Sequence, residues 1–125
     1  MADPQQVIDE SRPMLEEFLS DVGIYQPGQR IADPQLLERF SNWLAVQNVP
    51  EDAFFYLVAR VNAFIQEYMI EGHSCFRRID GNRILLCQPI DAAQGVFREF
   101  DTIPVAAGIV RDRSSLKEFL GVLSS

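Results

Sequence analysis

The stretch that decides the fold is the most apolar segment of the chain, residues 50–72, PEDAFFYLVARVNAFIQEYMIEG. Its first residues, Pro50-Glu51-Asp52, predict a helix start, because acidic side chains in the first turn interact favourably with the helix dipole. Apolar residues then leave only a narrow polar stripe through Arg60, Glu67 and Glu71. A helix that is apolar nearly all round is normally buried on most sides. We therefore expect this helix to supply most of the core.

Two Asp-Pro pairs upstream predict the starts of further helices. An Asp side chain accepts hydrogen bonds from the first free N–H groups, and Pro fits the first helical position because its missing N–H would have no partner there. Asp3-Pro4 and Asp33-Pro34 both have this pattern. Pro13 should interrupt the first segment, since a proline inside a helix costs about 3 kcal/mol. We therefore expect Ser11 to cap a separate helix that ends near Asp21.

The pattern changes from helix to strand after Gly72, where the apolar helix should end. Residues 75–79 and 83–87 flank Asp80-Gly81-Asn82, which predicts a β-hairpin over residues 75–88 with Gly81 free to take a positive φ. Pro89 should end the second strand or confine it to a sheet edge, because it has no N–H to donate.

The remaining segments complete an α+β layout. We expect Asp91 to cap one helical turn, residues 96–100 to form a strand, and Ile103–Val110 to form a buried strand. Ser115 and Glu118 have the spacing of a capping box, which predicts a C-terminal helix. Residues 1–125 are thus predicted to form a single α+β domain: N-terminal helices, a small antiparallel sheet built on the hairpin, and a C-terminal helix.

Composition narrows the classes of function. Of 125 residues, 47% are hydrophobic and 23% charged, which fits one globular domain. No uncharged apolar run of about 18 residues exists, so we expect no membrane span. The formal net charge of −7 opposes general nucleic-acid binding, which relies on neutralising phosphates.

The predicted location is the cytoplasm. Residues 1–6, MADPQQ, have neither the basic nor the apolar region of a signal peptide. Two Cys residues form no disulfide framework and no Cys-x-x-Cys metal pattern, so we expect reduced thiols, no metal and no cofactor.

His73-Ser74-Cys75 is the one place where a base adjoins possible nucleophiles. A catalytic or ligand-binding use would need an exposed thiolate hydrogen-bonded to the imidazole. The alternative, which we favour, is an exposed His73 at a helix end and a buried Cys75. Cys75 and Cys87 would lie directly across the hairpin if its loop had three residues, but not if it had two. We expect two reduced thiols in either case.

No motif indicates an enzyme. Glycine-rich phosphate loops, Gly-x-Ser-x-Gly and His-Glu-x-x-His are absent from the sequence. Glu67 and Glu71 share one helix face and could bridge a cation, but a solvated stripe is the simpler interpretation. These absences favour a non-enzymatic protein without excluding an enzyme.

Charge is distributed unevenly along the chain. Residues 1–71 contain four basic and twelve acidic side chains, a balance of −8, whereas residues 72–125 contain seven and six, a balance of +1. Arg77, Arg78 and Arg83 crowd the hairpin. Arg is suited to bidentate pairing and to interfaces, so these residues are candidates for binding a partner protein. Alternatively, they only protect an exposed strand edge against aggregation.

Three functions follow as hypotheses. The first is a non-enzymatic interaction module, an adaptor, assembly chaperone or regulatory subunit, that binds a partner protein through exposed Arg77, Arg78 and Arg83. An unpaired edge would also allow a homodimer. The second is a small enzyme or ligand-binding domain with a pocket near His73 and Cys75, with Cys87 as a further redox candidate. The third is an acidic mimic of nucleic acid.

Overall fold

A computed structural model describes residues 3–123, and these residues confirm the α+β class. Met1 and Ala2, on which the signal-peptide prediction partly rests, lie outside them. The helices are α1 (Pro4–Asp21), α2 (Pro34–Ala45), α3 (Phe54–His73), α4 (Ile103–Asp112) and α5 (Leu116–Leu123). The antiparallel strands are β1 (Phe76–Asp80), β2 (Arg83–Asp91) and β3 (Val96–Phe100), in the order β1-β2-β3. Single 3-10 turns at Glu51–Ala53 and Ala92–Gln94 precede α3 and β3.

Helix α1 is continuous, so the predicted break at Ser11 is wrong. The Asp3-Pro4 start is as predicted, with the Asp3 side chain accepting from the first turn. Pro13 lies inside the helix on its exposed side, where water can solvate the carbonyl that loses its helical partner. Leu15 and Leu19 are fully buried on the other side. Burial of this apolar face offsets the cost of the proline.

Helix α3 forms the centre of the core, as predicted. Its middle turns are almost entirely buried, including Val61, Phe64 and Ile65. The helix continues one residue past Gly72 and is capped by Ser74 in the left-handed conformation, so Gly72 does not end it. Gly72 instead allows a close approach of the loop before α2, because a Cβ at Gly72 would lie 2.8 Å from the Cβ of Ala32.

The hairpin has a two-residue loop. Asp80 pairs with Arg83, and Gly81 takes a φ of 62° between them. Cys87 therefore lies opposite Phe76 rather than opposite Cys75.

Strand β2 does not end at Pro89 but continues to Asp91. The last pair between β1 and β2 is at Cys87, so Pro89 lies in a segment of β2 that pairs only with β3. The prediction that Pro89 ends the strand is therefore wrong. The alternative prediction, that Pro89 lies at an edge, agrees with this unpaired side of β2, because proline has no N–H to donate. The register shifts by one residue between Pro89 and Asp91, as a β-bulge would cause.

The predicted strand over Ile103–Val110 is wrong, because this segment is helix α4. Its buried residues, Ala106, Ile109 and Val110, share one helix face, and they belong to the same core cluster as the buried side of α3. A short apolar run fits a buried strand or a buried helix equally well, and only packing decides between them. Pro104 in the first turn of α4 is compatible with the helix.

Two predicted features near the end of the chain are confirmed. The Asp91 side chain caps the 3-10 turn that precedes β3. Ser115 Oγ accepts a hydrogen bond of 3.2 Å from the backbone N of Glu118 as α5 begins. None of the helices within residues 3–123 is long and apolar enough to cross a membrane.

Candidate functional site

A mostly apolar groove with a volume of about 380 Å³ runs along helix α3. Helix α1 contributes Val7 and Met14 to one wall, α3 contributes Phe55 and Ala59, and Ile103 at the start of α4 completes the rim. This volume falls within the range of about 300 to 1,000 Å³ that is typical of ligand sites. We call this concavity the α1–α3 groove.

Three large apolar side chains around the α1–α3 groove are exposed to solvent. Phe55 is 80% exposed, Ile103 51% and Val7 44%. Single exposed apolar residues are common on protein surfaces, but several of them around one apolar concavity are typical of a binding surface.

The polar side of the groove is built on Arg77, which the sequence predicted to be exposed but which is only partly exposed. Its side chain is 12% exposed and that of its ion-pair partner Glu67 is 9% exposed, with Nη2 and Oε1 2.8 Å apart. Arg77 Nε donates to Gln66 Oε1 at 2.7 Å, and Nη2 also donates to Ser11 Oγ at 3.2 Å. Successive residues of a strand point to opposite faces, and Arg77 lies on the face of β1 that meets the helices.

The network continues along α3 toward the rim. Gln66 Nε2 donates to Thr102 Oγ1 at 2.9 Å, and Thr102 Oγ1 donates in turn to Asn62 Oδ1. Asn62 Nδ2 and Arg77 Nη1 have no hydrogen-bond partner among residues 3–123, and both residues line the groove. The groove thus combines an apolar lining with donors that can bind a carbonyl oxygen.

Arg78 and Arg83 are exposed, as predicted, but each has a carboxylate partner. Arg78 Nη2 lies 2.6 Å from Glu99 Oε2 on β3, and this hydrogen bond raises the pKa of Arg78. Arg83 Nη2 lies 2.9 Å from Asp80 Oδ2 on the same hairpin. The structure therefore divides the predicted arginine cluster between two faces of the sheet, and leaves none of its three members unpaired.

His73 and Cys75 form no imidazole–thiol pair. The His73 ring stacks on Tyr68, with ring centroids 5.8 Å apart. The Cys75 thiol instead donates to the backbone carbonyl of His73 at 3.7 Å, and Cys75 is buried. Neither residue lines the α1–α3 groove.

The two cysteines are free and buried. Burial is the main cause that raises the pKa of both thiols, and the charge of Glu99 adds to the effect at Cys87. A raised pKa lowers the fraction of reactive thiolate at neutral pH.

Glu67 and Glu71 do not form the solvated stripe that the sequence predicted. Arg12 Nη1 lies 3.7 Å from a carboxylate oxygen of each. Glu71 Oε2 also accepts from the backbone N atoms of Ile31 at 2.8 Å and Ala32 at 3.1 Å. These carboxylates therefore hold α1 and the loop before α2 against α3. Within residues 3–123, no group of three or more His, Cys, Asp or Glu side chains is arranged to hold a metal ion.

A second concavity, of about 420 Å³, adjoins the exposed end of the groove. It lies between the start of α3 and the end of α4, and Phe55 lines both concavities. Arg111 and Arg113 contribute its positive charge and Glu51 its negative charge. We call it the arginine depression.

Sequence reasoning did not find the groove. Val7, Phe55 and Ile103 lie on three helices that are far apart in the chain, and one of those helices was predicted as a strand. One signal in the sequence could have indicated it. Phe55 lies in the first turn of a helix that is apolar on nearly every face, and the two ends of such a helix are its least covered parts. Compared with family models, curated proteins and solved structures, the chain matches none of them.

Proposed function

We propose that this protein is a non-enzymatic interaction module that binds an apolar segment of a partner protein in the α1–α3 groove. The observation that carries the proposal is the ring of exposed apolar side chains, Val7, Phe55 and Ile103, around an apolar concavity. Such a site suits an adaptor, an assembly chaperone or a regulatory subunit, because burial of a partner's apolar side chains can provide most of the binding free energy.

The polar groups of the groove support binding rather than catalysis. The charge of Arg77 is compensated by Glu67, and Ser11 Oγ accepts a hydrogen bond from that arginine. A nucleophilic Ser would need a general base within hydrogen-bond distance, and Ser11 has an arginine there instead. The free N–H donors of Arg77 and Asn62 can orient a partner by donating hydrogen bonds to its carbonyl groups.

The groove is a better candidate surface than the hairpin. A partner that binds Arg78 or Arg83 must compete with Glu99 or Asp80 for the same guanidinium. A partner that enters the groove displaces water mainly from apolar surface, which is favourable, and needs to break no ion pair. We also propose a cytoplasmic location, which the two free thiols support because reducing compartments keep thiols unpaired.

The test compares partner capture by four forms of the protein in its native cell. Ala59→Trp fills the groove from an exposed position of α3, and Val46→Trp places the same side chain at an exposed position outside it. The double variant Arg78→Glu with Arg83→Glu alters the hairpin. We expect a partner that Ala59→Trp loses and that the other two variants retain.

A photo-crosslinking residue at Phe55 identifies the bound segment. We expect crosslinks to a contiguous apolar segment of the captured partner, because Phe55 lines the groove and is highly exposed. A partner that binds Ala59→Trp as well as it binds the unmodified protein would overturn the proposal. Loss of the partner from the hairpin variant alone would assign the function to the hairpin instead.

A further inference from the structure

The arginine depression is lined by two positively charged side chains, Arg111 and Arg113, and one negatively charged side chain, Glu51. Arg111 and Arg113 form no ion pair with any residue in the part of the chain that the structure describes, unlike Arg12, Arg77 or Arg78. The depression has two arginines against Glu51 on a protein whose formal charge is −7. A concave surface with an excess of one charge attracts ligands of the opposite sign.

Both arginines are held in place by contacts with the protein. The Arg111 guanidinium lies 5.0 Å from the ring centroid of Phe54, within the distance of a cation–π interaction. Arg113 Nη1 donates to the backbone carbonyl of Ala45 at 3.2 Å. These contacts leave most N–H donors of each guanidinium available, and they reduce the conformational entropy that binding would cost.

Phe55 connects the depression to the groove. Because its side chain lines both concavities, a segment that lies in the groove and passes over Phe55 reaches Arg111 and Arg113 next. The surface therefore has a fixed polarity along α3: apolar beside α1, and positively charged beyond Phe55.

We propose that the groove selects a segment in which apolar residues are followed directly by Asp or Glu side chains that pair with Arg111 and Arg113. This inference rests on the proposed function, since it names the chemistry of the segment bound at that same site. Arginine and carboxylate can pair through two parallel hydrogen bonds, which fix orientation as well as adding affinity. The charged end of the segment thus determines the direction in which it lies along α3.

The test uses a phage-displayed library of random peptides as the probe. The library is selected on the unmodified protein, and peptides that also bind Ala59→Trp are removed. We expect the remaining peptides to share apolar residues next to Asp or Glu. Replacing those acids by Asn or Gln in a synthetic peptide should weaken binding by about five- to tenfold, as two partly exposed ion pairs predict.

The protein side of the pairing is tested with Arg111→Ser, because Arg111 lies over the ring of Phe54 and forms no ion pair among the described residues. The difference in affinity between the acidic and the amide forms of the peptide should be smaller for this variant than for the unmodified protein. Increased salt should remove the remaining difference. Groove-dependent peptides without acidic enrichment, or with acids whose replacement changes nothing, would overturn this inference and leave the proposed function standing. Failure to obtain any groove-dependent peptide would overturn both.

Discussion

Arg77 shows how a residue type that usually indicates a surface can belong to the interior. Removing a guanidinium and a carboxylate from water is costly, and the cost is recovered only when both are paired and their other polar atoms are hydrogen-bonded. Ser11 and Gln66 supply these further partners. The sequence does require adjacent Arg77 and Arg78 to face opposite sides of a strand. It could not show which of the two faces inward, because that depends on Glu67 and Ser11, which lie on other elements.

Arg77→Met is expected to destabilise the protein strongly. It leaves the buried carboxylate of Glu67 with only Arg12, 3.7 Å away, and breaking a buried ion pair from one side typically costs about 3 kcal/mol or more. The double variant Arg77→Met with Glu67→Met should recover most of the loss, since no buried charge remains. Urea denaturation measures the free energy of unfolding of each.

Arg78→Met provides the matched control for that experiment. Its ion pair with Glu99 is exposed, so water replaces the lost partner and the stability should hardly change. Equal losses in Arg77→Met and Arg78→Met, or no recovery in the double variant, would show that the buried pair does not have the role assigned to it.

Among the elements, three helices could be predicted from their capping signals, whereas α4 was predicted as a strand. Asp3-Pro4, Asp33-Pro34 and Ser115 each cap a helix as their side-chain chemistry predicts. Helix α4 also has a start signal, since Asp101 Oδ1 accepts from the backbone N of Ile103 at 3.0 Å and Pro104 lies in the first turn. The prediction of a strand over Ile103–Val110 missed this signal because a short apolar run also fits a buried strand. The break predicted at Pro13 is absent from α1, because burial of the opposite face of the helix outweighs the local cost of the proline. The groove could not be predicted because it requires α1, α3 and α4 to be correctly placed together.

Gly72 and Gly108 should respond oppositely to replacement by Ala. Both lie in helices, where Ala is favoured over Gly by about 1 kcal/mol. A Cβ at Gly72 would lie 2.8 Å from Ala32 Cβ, whereas one at Gly108 would meet nothing within 4 Å. We expect Gly72→Ala to lower the melting temperature, because the overlap costs more than the helix gains, and Gly108→Ala to raise it. A stabilising Gly72→Ala would contradict the close approach of the loop.

In the molecule as a whole, the two buried thiols lie near enough to interact, since the charge of Cys87 contributes to the raised pKa of Cys75 after burial, the main cause. Cys75 belongs to the main core cluster beside α3, while Cys87 is buried within the sheet outside that cluster. Since burial raises the pKa of both, the folded protein keeps protons that the unfolded chain gives up above its thiol pKa of about 8.5. The stability due to the neutral thiols is therefore complete below about pH 8.5 and is lost as the pH rises toward the folded-state pKa values.

The free energy of unfolding should consequently fall as the pH is raised above about 8.5. In the double variant Cys75→Ala with Cys87→Ala, the first part of that decline should be less steep. Tyr68, whose pKa is also raised mainly by burial, should cause a further decline above its ordinary pKa of about 10 that the double variant retains. Urea titrations across this pH range measure both. Equal slopes for the two proteins between pH values of about 8.5 and 10 would mean that the thiols are not protected by folding. The single variants Cys75→Ala and Cys87→Ala should each remove part of the decline, and their effects should not add exactly because the charge of Cys87 raises the pKa of Cys75.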